Sequence, residues 1–509
     1  MIGDLVMARL SYMFRQGTPL GLEADTLAVL VPQSDGKPVV PDIVMESYRD
    51  IIDKIISQGD FKADEGEVRI AYLPKDYARL VLAGLGENPS LESVRIACGK
   101  IVRELESLKA RDIVLYYDKS LDLDPGEVLG QCIEAAEMAL YDPGEVFKAR
   151  ERKEKTLKSI TIVFPDEISG ADEIIKKSTL IADAVNYARL VADTPSSQMS
   201  PEGIEKEARK LAEAYGLGIK VFHVEDLKRM GMNGILAVGS GGGVPPRLII
   251  LEYKGREADE WDIGIVGKTV TFDAGGLDLK PPQSMERMKY DKCGGAAALG
   301  IIKAAASLRL PVNIVVALPA VENLPGPKAY KPRDIIKMYN GLTVEVGNTD
   351  AEGRIIMADA LSYLEKTYRP AKIFDFATLT GAIVIALGKY AAGLFTKDDE
   401  LAKDLYEIGL KTGEKLWRMP LWKEYYDQLK SSIADTNNIG GRPAGAITAA
   451  AFLSKFLEDQ SKWAHIDIAG VAYIENGMPK KPYYRDSATG YGVRLLIHYI
   501  IEKFLGKKQ

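Results

Sequence analysis

Cysteine, histidine and long apolar runs are what this sequence has least of. Its 509 residues include three cysteines, Cys98, Cys132 and Cys293, widely spaced and without a CxxC. That spacing supports neither a disulfide framework nor a thiolate zinc site, and suits a reducing compartment. The three histidines, His223, His465 and His498, are too few and too scattered for an imidazole metal site, and there is no HExxH. No stretch of about 18 or more apolar residues occurs, so a membrane span is not expected. The opening MIGDLVMARLSYMFRQG carries Asp4 early and lacks an apolar core followed by a small-residue cleavage site. The expectation is a cytoplasmic protein. Excess charge is also missing: 66 basic against 72 acidic residues leave a formal net charge of -6, too mild to demand nucleic acid as a partner.

What is there suits a folded protein of more than one domain. Apolar residues make up 46% and charged residues 27%, which argues against global disorder. A chain of this length exceeds what one core organises. Residues 1–170 carry apolar runs at Thr26 to Val31, Ile113 to Tyr117 and Ser159 to Phe164, with a helical pattern over Leu91 to Leu108, and read as a small α/β domain. The charged run Lys148 to Lys155 precedes the last of these strands. Ala171 to Ala192 reads as one long helix that links the domains (171–195), broken by Asp193-Thr194-Pro195. Ser200-Pro201 then looks like a fresh helix start with proline at the first position. From 196 to 509 strand and helix alternate: Arg247 to Tyr253, Asp262 to Asp273, Val312 to Leu318 and Lys372 to Ala377 are strand-like, Gly294 to Leu308 and Ile355 to Tyr368 helical. That is the pattern of a sheet covered by helices on both sides.

Chemistry concentrates in two segments. In Asn348-Thr349-Asp350-Ala351-Glu352-Gly353-Arg354, an extended backbone would point Asn348, Asp350, Glu352 and Arg354 to one face. Two crowded carboxylates repel unless a cation lies between them, and hard divalent ions prefer oxygen ligands. The second segment, Val266 to Lys280, places Lys268, Asp273 and Lys280 around an apolar strand and a Gly-Gly turn, and Asp291 follows shortly. Three or four acids with two lysines fit a carboxylate-rich site for two metals better than a single zinc site. These residues fall at strand ends, where open α/β sheets place their ligand crevices.

VGKTVTFDAGG, MKYDKCGGAAA and NTDAEGR, in this order and spacing, resemble the leucyl aminopeptidase family of dinuclear metallopeptidases, the M17 family. DFATLTGA, IGGRPAGAITAAAFL, WAHIDIAGVA and ATGYGVRLLI resemble it too, so the likeness runs from about residue 185 to 500. The resemblance implies an α/β protein of two domains, the larger C-terminal one catalytic, with a mixed sheet between helices. It implies an aminopeptidase that releases leucine and other, mostly apolar, N-terminal residues from peptides with a free amine. Two divalent ions would serve it, Mn²⁺ or Zn²⁺, with Mg²⁺ or Co²⁺ as alternatives. Asp273 and Glu352 would bridge both ions, Asp350 would bind the first, and Lys268, as a neutral amine, would bind the second with Asp291. Lys280 would stabilise the oxyanion, and Arg354 would hold a bicarbonate that accepts the proton. By matching position Met288, Asn348, Thr378, Leu379, Gly381 and Ala469 would line the substrate site. Ala472 stands where some relatives carry a larger methionine, which implies a roomier pocket. The family also implies a homohexamer.

Blander readings attach to several of these residues. Asp350 and Glu352 alone would suit a helix N-terminus, single lysines are mostly solvated, and Asp278 reads as a surface residue. Gly267-Lys268-Thr269 is not a phosphate loop, because Asp262 stands where the motif needs glycine. The glycines in GSGGG mark a tight turn. His465 reads as a packed core residue, and Cys293 as part of a small-residue helix start. A binding protein that kept the fold and lost catalysis is the competing class.

Overall fold

The computed structural model describes residues 9–118, 122–150, 155–478 and 481–508. Part of the charged run at Lys148 to Lys155, and the first eight residues, lie outside them. The chain divides into two compact units, residues 1–186 with 476–486, and residues 187–475 with 487–509. The boundary falls inside one helix, Ala171–Asp193.

The first unit is built on a six-stranded sheet in the order Ser11–Gln16, Ser159–Phe164, Asp112–Tyr116, Thr26–Val31, Arg79–Gly84 and Val68–Tyr72. The first five are mutually parallel and the last is antiparallel to its neighbour. TLAVLV is buried at every position, as a central parallel strand covered on both faces must be. Ser90 caps the Leu91–Ser107 helix in a reciprocal arrangement with Ser93, and Asp124 followed by Pro125 starts Pro125–Leu140. These helices carry Cys98 and Cys132, buried free thiols whose sulfurs lie 3.2 Å apart. The late segment 476–486 is held in this unit: Arg103 donates to the carbonyls of Pro482 (3.3 Å) and Tyr484 (3.2 Å), and the Tyr483 hydroxyl donates to Glu92 at 2.7 Å.

The second unit has a nine-stranded mixed sheet. Its main order is Leu416–Arg418, Ala392–Thr396, Trp463–Asp467, Lys372–Ala377, Ile263–Gly267, Asn313–Asn323, Arg247–Lys254 and Gly218–Phe222; Thr269–Asp273 also pairs with Asn313–Asn323. The four strands beginning at 463, 372, 263 and 313 are parallel. Leu248, Ile250, Val315 and Ala317 pack in one apolar cluster with the Glu352–Tyr368 helix. The alternate residues Ile249, Leu251, Ile314 and Val316 are buried as well, so both faces are covered.

Two sequence readings are corrected here. The strand expected over Asp262 to Asp273 is two strands, interrupted at Lys268. At that point the backbone N–H of Lys268 donates to Phe376 O, while Lys268 O accepts from Gly295 at 2.8 Å. Asn348 to Arg354 is likewise not extended: Asn348 to Ala351 form a turn, and Glu352 opens a 17-residue helix. Glu352 and Arg354 are therefore on its first turn.

Candidate active site

The parallel strands end on one side of the sheet, and their C-terminal ends supply the site. Lys268 follows Ile263–Gly267, Asp273 ends the next strand, Asn323 ends Asn313–Asn323, Thr378 follows Lys372–Ala377 and Asp467 ends Trp463–Asp467. A short sheet of Ile335–Lys337, Thr343–Glu345 and Thr436–Asn437 leads the chain into Asn348.

The acids and lysines meet there. Lys268 Nζ donates to Asp291 Oδ1 (2.8 Å), Glu352 Oε1 (2.9 Å) and Thr378 O (2.9 Å). Lys280 Nζ lies 2.8 Å from Asp273 Oδ2 and 2.6 Å from Asp350 Oδ1. Ligand atoms of Asp273, Asp350 and Glu352 all lie within 4.8 Å of one another. Room for Lys268 comes from Gly353, where a Cβ would stand 2.4 Å from Lys268 Cε. Gly275 turns with φ +89°, and a Cβ there would meet Asp278 O at 2.4 Å.

Four carboxylates face two ammonium groups in a largely buried space, and the ionisation shifts record the imbalance. Burial raises Asp291 well above the ordinary carboxylate range, and burial with Asp273 and Glu352 pushes Asp350 up to about 7. Burial and the neighbouring Glu352 also raise Asp273. Glu352 is lowered, because Lys268 and Lys280 outweigh its burial. For Lys268 burial is outweighed by Asp291, Glu352 and Asp273, which hold the ammonium above its usual range. Asp291 Oδ2 and Glu352 Oε2 are buried with no hydrogen-bond partner among the described residues. Surplus negative charge, orphaned carboxylate oxygens and an all-oxygen donor set with one amine fit divalent metal ions.

Arg354 is buried. It donates to Asn438 O at 2.8 Å, while its Nε has no partner among the described residues. Burial pushes its pKa down to about 10, against Glu352 and Asp467, so it stays protonated at neutral pH. A buried, unpartnered guanidinium N–H suits a small anion.

The remaining candidates lie at the same strand ends or the turns beside them. Thr378 Oγ1 donates to Asp291 Oδ1 at 2.7 Å. The Leu379 and Ala469 N–H groups both donate to Asp467 Oδ1, and both side chains pack on the same apolar cluster. Gly381 is exposed at the start of the Gly381–Leu387 helix, and Met288 is half-buried in the turn Met288–Lys292 that carries Asp291. Asn348 Oδ1 accepts from the Asp350 N–H at 2.6 Å. Ala472 is buried in the turn after Trp463–Asp467.

Several supporting residues escaped the sequence reading. Asn323 Nδ2 donates to Asp273 Oδ1 (2.8 Å) and to Thr349 O (3.1 Å), fixing the carboxylate and the neighbouring turn together. Asn438 accepts from the Gly347 and Asn348 N–H groups and donates to Asn348 O. Asp278 is exposed, as expected, yet its Oδ2 accepts from the Thr349 N–H at 2.7 Å and so stitches the two motif loops. These are single polar residues outside the dense motifs or with a bland local context, and nothing in their own neighbourhood announces a partner. His465 is in the core, with Nδ1 2.5 Å from Asp375 Oδ1.

The model of the cytosol aminopeptidase family catalytic domain matches residues 186–497, and that of its N-terminal domain matches residues 29–146. The chain belongs to the cytosol aminopeptidase family. Relatives named probable cytosol aminopeptidase agree with this family assignment: that of Chlorobaculum tepidum is 41% identical, covering 86% of this chain and 90% of its own. That of Cenarchaeum symbiosum is 43% identical, covering 83% and 86%. Among solved structures a tomato leucine aminopeptidase mutant superposes with a TM-score of 0.86 at 30% identity, over 98% of this chain and 97% of that one. The bottromycin maturation enzyme BotP in complex with Mn gives 0.81 at 30% identity, over 93% and 98%. The leucyl aminopeptidase resemblance, the two-domain α/β architecture and the peptidase class are thereby established for this chain. No helix among the described residues is long and apolar enough to cross a membrane.

Proposed function

We propose that this aminopeptidase is a two-metal exopeptidase that removes leucine and other apolar N-terminal residues from peptides. The observation that carries the reading is the buried convergence of four carboxylates and two lysines, with Asp291 Oδ2 and Glu352 Oε2 left unpartnered. Asp273 and Glu352 would bridge two divalent ions, Asp350 would complete one position, and Lys268 and Asp291 the other. Manganese and zinc are the leading candidates, and BotP, a structural relative, has been solved in complex with Mn. When bound, such ions supply an acidified water and a Lewis acid for the scissile carbonyl.

The protein's own groups do the rest. Lysine ligates only as the neutral amine, while its carboxylate neighbours favour the ammonium. Lys268 would therefore have to give up a proton from Nζ to serve as a ligand. Lys280 is held between Asp273 and Asp350, and would there supply a cation for the negative charge that develops on the substrate oxygen. Arg354 stays charged, so it serves as an anchor and not as a base; its unpartnered Nε suits a bicarbonate that would take up the proton. Leu379 and Ala469 would form the apolar walls for the departing side chain, with Met288, Asn348, Thr378 and Gly381 around them. A homohexamer is the proposed assembly.

A free α-amine is the expected requirement on the substrate, because an internal peptide bond has no such ligand to offer. The test compares leucine amide with its N-acetylated analogue on manganese-loaded protein. Cleavage confined to the free amine supports the reading; equal cleavage of both refutes it.

A further inference from the structure

Asp467 ends the Trp463–Asp467 strand, is fully buried, and lies opposite Ala377 on the neighbouring strand. Its Oδ1 accepts from the Leu379 N–H at 3.1 Å and from the Ala469 N–H at 3.2 Å. Its Oδ2 accepts from Thr380 Oγ1 at 2.7 Å, and Thr380 Oγ1 in turn caps the Gly381–Leu387 helix by accepting from the Ile383 N–H at 3.2 Å. No lysine or arginine forms an ion pair with it among the described residues. A buried carboxylate without a salt-bridge partner is costly, and here its two oxygens serve donors from two separate strand-end loops.

We infer that Asp467 is a positioning residue for substrate selection, one carboxylate that ties the Leu379 loop to the Ala469 loop and so fixes the width of the pocket for the N-terminal side chain. This rests on the proposed placement of Leu379 and Ala469 in that pocket. Asp467 touches neither the Asp273, Asp350 and Glu352 cluster nor Lys280 through any hydrogen bond or ion pair described above, so its loss should act on selection before it acts on metal content. Removing the carboxylate leaves two backbone N–H groups and the hydroxyl proton of Thr380 without an acceptor, and the loops lose their common anchor. An amide in its place keeps one acceptor for the two N–H groups, so it restores part of the geometry.

The experiment measures kcat and KM for alanine, leucine and phenylalanine amides with manganese-loaded wild type, Asp467→Ala, Asp467→Asn and Ala469→Leu. For Asp467→Ala we expect KM for leucine amide to rise about tenfold or more, the spread of kcat/KM across the three substrates to shrink several-fold, and bound manganese to match wild type. Asp467→Asn should recover most of the spread. If Asp467→Ala keeps the wild-type ratios while Ala469→Leu changes them, the inference fails and the pocket stands. If neither variant changes the ratios, the pocket placement itself fails. Should Asp467→Ala not fold, Thr380→Val removes one of the three hydrogen bonds, and a smaller shift of the ratios in the same direction is expected; unchanged ratios overturn the inference.

Discussion

Lys280 reaches two carboxylates at once, and in the proposed reaction its value would lie in charge placed before the reaction begins. Replacing it with alanine should lower kcat by about 10²–10³, the range for removing one preorganised oxyanion donor, while metal content is retained. Steady-state kinetics beside elemental analysis checks this; a kcat within threefold of wild type would contradict it. Gly353 acts by what it lacks, since a Cβ there would stand 2.4 Å from Lys268 Cε. Gly353→Ala should displace Lys268 and weaken metal binding by about 10–100-fold, the usual scale for disturbing ligand support, as read by calorimetric titration with Mn²⁺. At this scale the converging acids and lysines were legible in the sequence because chemistry-bearing residues crowd into short motifs. Asn323, Asn438 and the Asp278 contact were not, because each works through a partner 26 to 90 residues away.

The strands and helices named from the sequence mostly match to within a residue or two, because strands such as Thr26–Val31 and Ser159–Phe164 are unbroken apolar runs and Pro201–Tyr215 begins with a clear cap and proline, whereas long helices such as Asp42–Ser57, Pro125–Leu140 and Asp399–Thr412 were not named at all. Two misreadings sit at the site. The strand through Lys268 breaks where its backbone bonds to Phe376 and Gly295, a tertiary demand that a continuous apolar pattern hides. The extended reading of Asn348 to Arg354 failed because a period-two array of polar residues also fits a turn entering a helix. A further element-scale feature is the 476–486 segment. Glu92 accepts from Tyr483 and Arg95 and pairs with Lys481. Burial would raise its pKa, but Arg95, Lys481 and the Tyr483 hydroxyl bring it down to about 2. A carboxylate lowered in the fold stabilises above its unfolded pKa of about 4.3, and the contribution fades as pH falls toward about 2. Glu92→Gln should therefore cost up to about 3 kcal/mol at pH 7 and speed amide exchange at 481–484, with a smaller difference near pH 3. Equal exchange in both proteins at pH 7 would contradict it.

For the whole molecule, the two units differ in how openly the sequence spoke. The catalytic unit carries dense motifs from Lys268 to Arg354, whereas the N-terminal unit shows only an α/β rhythm, and its family membership emerged from comparison over residues 29–146. The return of 476–486 to the first unit had no local signal at all, since it depends on Gly99, where a Cβ would lie 2.7 Å from Tyr483 N. We attribute activity to a two-metal site in the second unit. This is tested most directly by stripping the purified protein with a chelator and titrating Mn²⁺ back while following leucine amide hydrolysis. Activity should be negligible without metal, and should rise to saturation at two ions per chain in the wild type but not in Glu352→Ala. Full activity in the stripped protein, or an undiminished response in Glu352→Ala, would contradict it.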